Sequence, residues 1–133
     1  MKILSFGSSF LLASLLFLEP CMAWERPASG SISPEEASHL LQDAKGSLVI
    51  LDVRTPSEFQ SGHAGEALNI PLSDLPSRIN EIPRDRPILI LCRSGNRASR
   101  AFAILRNAGY SEDNLWYLSG YTDYSSGSPR FYR

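Results

Sequence analysis

The order of apolar and polar residues divides the chain into short alternating blocks of helix and strand character. Ala37, Leu40, Leu41 and Ala44 recur at helical spacing. Ser33 with Glu36 three residues later forms a capping box, Pro34 suits the first helical position, and Gly46 ends the element. From Ser47 to Val53 the chain holds four consecutive apolar residues, Leu48, Val49, Ile50 and Leu51, as in a strand covered on both faces. Thr55-Pro56-Ser57-Glu58 repeats the capping pattern and predicts a short helical turn. Gly62 to Gly65 reads as a turn, Ala67 to Ile70 as a short strand, and Ser73 to Ile82 as a short helix with Leu75, Ile79 and Ile82 on one side. After a polar connection, Pro87 to Leu91 is a third strong strand. Ala98 to Ala108 predicts a helix turning Ala101, Phe102, Leu105 and Ala108 to the core, with Gly109 as its cap, and Leu115 to Leu118 is a last strand. Beyond Ser119 the chain is rich in Gly, Ser and Tyr, and Ser125 to Ser128 reads as a loop or a frayed end. Strands alternating with helices predict an α/β fold of three layers, with a mostly parallel central sheet and helices on both faces.

The N-terminus follows a different pattern. Lys2 is the only charge before Glu19, and Ile3 to Leu18 is apolar apart from a few serines and one glycine. That run is shorter than the about 20 apolar residues of a membrane span. A positive start, an apolar run and small residues at the end are the order of a secretory signal. Pro20 breaks the helix, and Cys21-Met22-Ala23 places small residues for cleavage after Ala23. A retained anchor competes with this reading and is disfavoured by the short run. Lipid attachment at Cys21 is disfavoured by Glu19 and Pro20 directly before it. The expected organisation is a signal peptide over 1–23, a leader over 24–30, a domain over 31–126 and a C-terminal tail over 127–133. The expected location is the periplasm, with no membrane association after cleavage.

Composition narrows the partners. The 133 residues suit one domain, and 13 basic against 14 acidic side chains give no broad electrostatic case for nucleic acid or an anionic membrane. A monomer is expected. Removal of Cys21 with the signal would leave Cys92 alone, so no internal disulfide could form. A lone cysteine is either a buried apolar filler or a reactive thiol. His39 and His63, far apart in sequence from each other and from Cys92, make a poor metal site, and no metal is expected. His63 reads as a hydrogen-bonded turn residue and His39 as a surface residue.

In open parallel sheets function gathers at the carboxyl ends of strands. Two polar clusters fall there: Asp52-Val53-Arg54, and Cys92-Arg93-Ser94-Gly95-Asn96-Arg97 followed by Ala98. A polar, glycine-containing loop between strand and helix can turn several N–H groups toward one centre and bind an anion. Arg93 and Arg97 add charge, and Cys92 stands at the base of this cradle. The field that binds an anion also stabilises a thiolate, which makes Cys92 a nucleophile aimed at an anionic substrate. Asp52 and Arg54 read mainly as a structural ion pair supporting the loop.

Three stretches together resemble rhodanese domains. They are Asp52-Val53-Arg54 with Glu58-Phe59 and Gly62-His63-Ala64-Gly65-Glu66-Ala67-Leu68-Asn69-Ile70-Pro71; the loop from Cys92 to Ser99; and Leu118-Ser119-Gly120-Tyr121. The resemblance spans about Ile32 to Tyr124. It implies a thiosulfate sulfurtransferase: Cys92 takes the outer sulfur of thiosulfate or a similar small anionic donor, and a thiophilic acceptor such as cyanide or a thiol removes it. The amides of Arg93, Ser94, Gly95, Asn96, Arg97 and Ala98 would hold the donor, and no cofactor is implied. A non-catalytic persulfide carrier is the alternative. A phosphatase or arsenate reductase is further off, because those relatives carry a longer loop and a histidine where this chain has Leu91. The chain departs from the family pattern in Ser119-Gly120 for a Gly-Gly pair and in Tyr124 where a tryptophan is usual, which leaves the packing of the C-terminus open.

Overall fold

The computed structural model describes residues 24–133, so the expected signal peptide lies outside the described residues. Five parallel strands form the central sheet: β1 (Gly30–Ile32), β2 (Val49–Asp52), β3 (Leu68–Asn69), β4 (Ile88–Leu91) and β5 (Leu115–Leu118). Their spatial order is β1-β5-β4-β2-β3. Four helices accompany them: α1 (Pro34–Asp43), α2 (Pro56–Gln60), α3 (Leu75–Arg78) and α4 (Asn96–Asn107). A separate antiparallel ribbon, β6 (Tyr121–Asp123) and β7 (Arg130–Tyr132), closes the chain.

The continuous apolar runs are explained by cover on both faces. Along β4, Ile88 and Ile90 join a core with Leu75, Ala101 and Leu105 of α3 and α4. Their neighbours Leu89 and Leu91 join a second core with Ala37 and Leu40 of α1. In β5, Leu115 and Tyr117 turn to the first core, while Trp116 and Leu118 turn to the second. The expected three-layer α/β architecture, with helices on both faces, is therefore the observed one.

Local signals set the helix starts. Ser33 and Glu36 form the reciprocal capping box that opens α1, and Thr55 and Glu58 form the one that opens α2. Three elements differ from expectation. The helix expected over Ser73 to Ile82 is divided into 3-10 turns at Leu72–Asp74 and Ile79–Glu81 around the single α-turn of α3. Pro76 has no N–H to extend a regular ladder there, and buried Leu75 and Ile82 pin the segment to the core instead. Helix α4 begins at Asn96, two residues before the expected start, because Gly95 turns the chain directly into it. At its far end Ala108 is exposed rather than packed, since it falls at the cap.

Both chain ends of the described region carry strands without a sequence signal. Gly30–Ile32, at the end of the expected leader, pairs with β5 from Gly30↔Trp116 to Ile32↔Leu118. Arg130–Tyr132 falls in the expected tail, but it pairs with β6 from Tyr121↔Tyr132 to Asp123↔Arg130. Both are three-residue strands whose partners lie elsewhere in the chain, so their own sequence cannot announce them. Among the described residues no helix is long and apolar enough to cross a membrane.

The ribbon is seated closely on the domain. A Cβ placed on Gly120 would stand 2.8 Å from the carbonyl oxygen of Tyr132. Gly120→Ala should therefore force β7 away and lower stability by about 1–3 kcal/mol. Thermal unfolding checks this, and an unchanged midpoint would mean that the ribbon is not packed as described.

Candidate active site

The two polar clusters stand side by side because β2 and β4 are neighbours in register, Asp52 opposite Leu91. The backbone N–H of Val53 donates to the carbonyl of Leu91 at 3.1 Å, which carries the pairing one step past the strands. Cys92 follows β4 directly and is 2% exposed. Its Sγ accepts from the N–H of Gly95 at 3.0 Å and from the N–H of Ala98 at 3.4 Å. The second donor lies in the first turn of α4, whose N–H groups have no partner within the helix. Two N–H dipoles and the positive helix end thus converge on one sulfur and favour negative charge there.

Gly95 makes this turn possible. Its φ is +90°, a region open to glycine and strained for other residues. Space forbids a side chain as well, since a Cβ would stand 2.7 Å from the carbonyl oxygen of Leu118 and 3.3 Å from the nitrogen of Gly120. The Leu118-Ser119-Gly120 stretch is therefore the wall behind the loop. The N–H of Thr122 donates to the carbonyl of Arg93 at 3.3 Å and extends that wall.

The two loop arginines have different surroundings. Arg97 donates from both terminal nitrogens to the carboxylate of Glu58, at 2.7 and 2.9 Å. Arg93 is exposed and has no ionic partner among the described residues. Ser94 and Asn96 are also exposed, while Gly95 and Ala98 are buried under the loop. The sequence singled out both arginines without separating them. Glu58 escaped notice as a site residue because its local role, capping α2, already accounted for it.

Beneath the loop lies a buried ion pair. The Nη2 of Arg54 donates to Asp52 at 2.7 Å and to the carbonyl of Gly62 at 2.8 Å, and its Nε donates to both Asp52 oxygens. Losing one partner of such a pair leaves an uncompensated buried charge and costs about 3–5 kcal/mol. The guanidinium also lies 3.6 Å from the centre of the Tyr124 ring. The Tyr124 hydroxyl donates to the carbonyl of Cys92 at 3.0 Å. Burial, reinforced by the nearby Asp52 carboxylate, pushes that hydroxyl above its ordinary range and keeps it a donor. Asp52 and Arg54 thus reach the loop through Tyr124, the residue found where a tryptophan is usual.

Asn69 ties down the same strand end by donating to the carbonyls of Asp52 and Arg54, both at 3.0 Å. The Nδ1 of His63 lies 2.8 Å from the carbonyl of Phe59, and its ring stacks on Phe59 with centroids 3.8 Å apart. His39 is exposed, against Trp24. Among the described residues no group of three or more His, Cys, Asp or Glu is placed to hold a metal ion.

Comparison with known proteins gives this geometry a family. The description "Rhodanese-like domain" matches residues 33–126, and the chain belongs to that family. It is 42% identical over 79 residues to a protein named "Sulfurtransferase" from Allochromatium vinosum, a match covering 59% of this chain and 73% of that one. It is 33% identical over 79 residues to "Thiosulfate sulfurtransferase GlpE" from Stutzerimonas stutzeri, covering 59% and 71% of the two chains. Among solved structures it is similar to a rhodanese-related protein from Thermoplasma volcanium, with a TM-score of 0.59 and 27% identity over 68% of this chain and 84% of that one.

The Arg97 contact holds the Glu58 carboxyl down from 4.5 to about 2. Between those values the unfolded chain binds the proton and the folded chain does not, so stability rises with pH there. The contribution is complete above about 4.5 and is lost as pH falls toward about 2. Glu58→Gln keeps a side chain that can cap α2 but removes this charge. Its acid unfolding curve should be flatter than the parent's across that window, and curves of equal slope would discount the ion pair.

Proposed function

We propose that this chain is a sulfurtransferase carrying sulfane sulfur on Cys92, from thiosulfate or a similar donor to a thiophilic acceptor such as cyanide or a thiol. The observation that carries the reading is the convergence of the Gly95 and Ala98 N–H groups on the Cys92 sulfur. Such donors favour the thiolate before transfer and the persulfide anion after it.

In the first step the Cys92 thiolate attacks the outer sulfur of thiosulfate. A bond forms between the two sulfurs, the bond to the sulfonate sulfur breaks, and its electron pair leaves with sulfite. The cysteine becomes an anionic persulfide. In the second step cyanide attacks the outer sulfur of that persulfide, thiocyanate departs, and the Cys92 thiolate returns. Charge balances in both steps without proton transfer, so His63 is not needed as a base. The route is a double displacement and should show ping-pong kinetics.

Arg97 is held by Glu58 and reads as a brace for the loop. Arg93, exposed and without an ionic partner among the described residues, is assigned the attraction of the anionic donor.

Cys92→Ser should abolish thiocyanate formation from thiosulfate and cyanide, as read by a colorimetric thiocyanate assay. Retained turnover would remove Cys92 from the mechanism. Arg93→Ala should raise the KM for thiosulfate about tenfold, the equivalent of about 1.4 kcal/mol, with kcat little changed. A fall in kcat at constant KM would instead place Arg93 in the chemical step.

A further inference from the structure

Strand alternation sorts the β6–β7 ribbon into two faces. Thr122 and Phe131 oppose each other in register and turn inward: Thr122 is buried, and Phe131 packs against the core of Trp116 and Leu118. The outer face carries Tyr121, Asp123, Arg130 and Tyr132. Tyr121 and Tyr132 also oppose each other, and their rings stack with centroids 5.5 Å apart at 17°. They are 46% and 51% exposed and are the only exposed large hydrophobic residues among those described. The two exposed aromatics of the described region therefore stand together in one patch.

The patch is continuous with the sulfur loop. The residue after Tyr121 donates its N–H to the carbonyl of Arg93, and the residue before it lies against Gly95. The ribbon also brings cations. The Arg130 side chain is 70% exposed and that of Arg133 is 82% exposed. Arg130 is ion-paired with Asp123 and Arg133 with Glu35, while Arg93 has no such partner among the described residues. Strand β7, which supplies Tyr132 and Arg130, lies beyond residue 126, outside the family match.

We propose that this face is a docking surface for a protein that exchanges sulfur with Cys92, one that presents its thiol within an acidic patch containing apolar residues. The inference rests on the sulfurtransferase reading and adds the partner's chemistry. Tyrosine and arginine are the side chains that most often anchor protein interfaces. Arg93, exposed beside the positive end of α4 and without a carboxylate partner among the described residues, calls for acidic residues opposite.

The test is binding to the full-length Cys92→Ser protein, which reports docking without sulfur chemistry. One synthetic peptide carries a serine in place of the reactive cysteine, flanked by leucines and aspartates; its control carries lysines for the aspartates. The aspartate peptide should bind about tenfold more tightly than the control, and that advantage should shrink as salt is raised. Tyr121→Thr/Tyr132→Thr, which keeps strand-forming residues, should lose the advantage. Equal binding of the two peptides, or undiminished binding to the double variant, overturns the proposal. With Cys92 intact, the double variant should keep parental thiocyanate formation. A parallel loss would show that the tyrosines serve the loop rather than a partner, and it too overturns the proposal. So would sedimentation showing a parental dimer that the double variant dissolves. Absence of thiocyanate formation in the parent would instead sink the sulfur-transfer reading, with docking still read from peptide binding.

Discussion

A sulfur that is nearly sealed from solvent can hold negative charge only if the protein supplies donors in place of water. Here two backbone N–H groups, from Gly95 and Ala98, meet at Cys92 Sγ, and the surrounding architecture keeps them there. Strand β4 ends at the cysteine, Gly95 turns the chain at φ +90°, and α4 starts at once. The turn has no room for a side chain because the Leu118-Ser119-Gly120 backbone runs directly behind it. A parallel sheet makes this economical in space: the loop that follows β4 reaches solvent at Arg93 and Ser94, while both faces of the strand are buried against helices.

Charge around the loop is arranged in two tiers. The lower tier is the buried Asp52–Arg54 pair, capped by the Tyr124 ring and linked by its hydroxyl to the Cys92 carbonyl. It holds the backbone at the root of the loop. The upper tier is Glu58–Arg97, more open to water, which ties α4 to α2 across the mouth. Each tier neutralises one loop-side arginine and leaves Arg93 as the exposed cation of the loop. The positive potential at the mouth then comes from Arg93, the helix end and the loop amides together.

The family relationship and the geometry agree at the level of class. The chain is a rhodanese-like domain with relatives named as sulfurtransferases. Its C-terminal ribbon, partly outside the family match, both completes the wall of the loop and presents an aromatic face to solvent. One short strand pair thus connects the site's internal support with its outer surroundings.

Much of this could be read before folding was considered, because the relevant interactions are local. The capping boxes at Ser33–Glu36 and Thr55–Glu58 join residues three apart. The strong strands announce themselves because apolar residues on both faces need helices on both faces. The polar segment from Cys92 to Arg97 marked the reactive loop through its composition and its place after a strand. Tertiary structure decided what depends on distant partners. Arg97 meets Glu58 across 39 residues, and Tyr124 meets the Cys92 carbonyl across 32. The strands at Gly30–Ile32 and Arg130–Tyr132 exist through pairing rather than through their own pattern. Sequence by itself determined the layers, the capped starts of α1 and α2 and the candidate nucleophile, since these follow from periodicity and near-neighbour hydrogen bonds. Only the folded chain could decide which arginine is braced and which is free, because that turns on which carboxylate the sheet brings within reach.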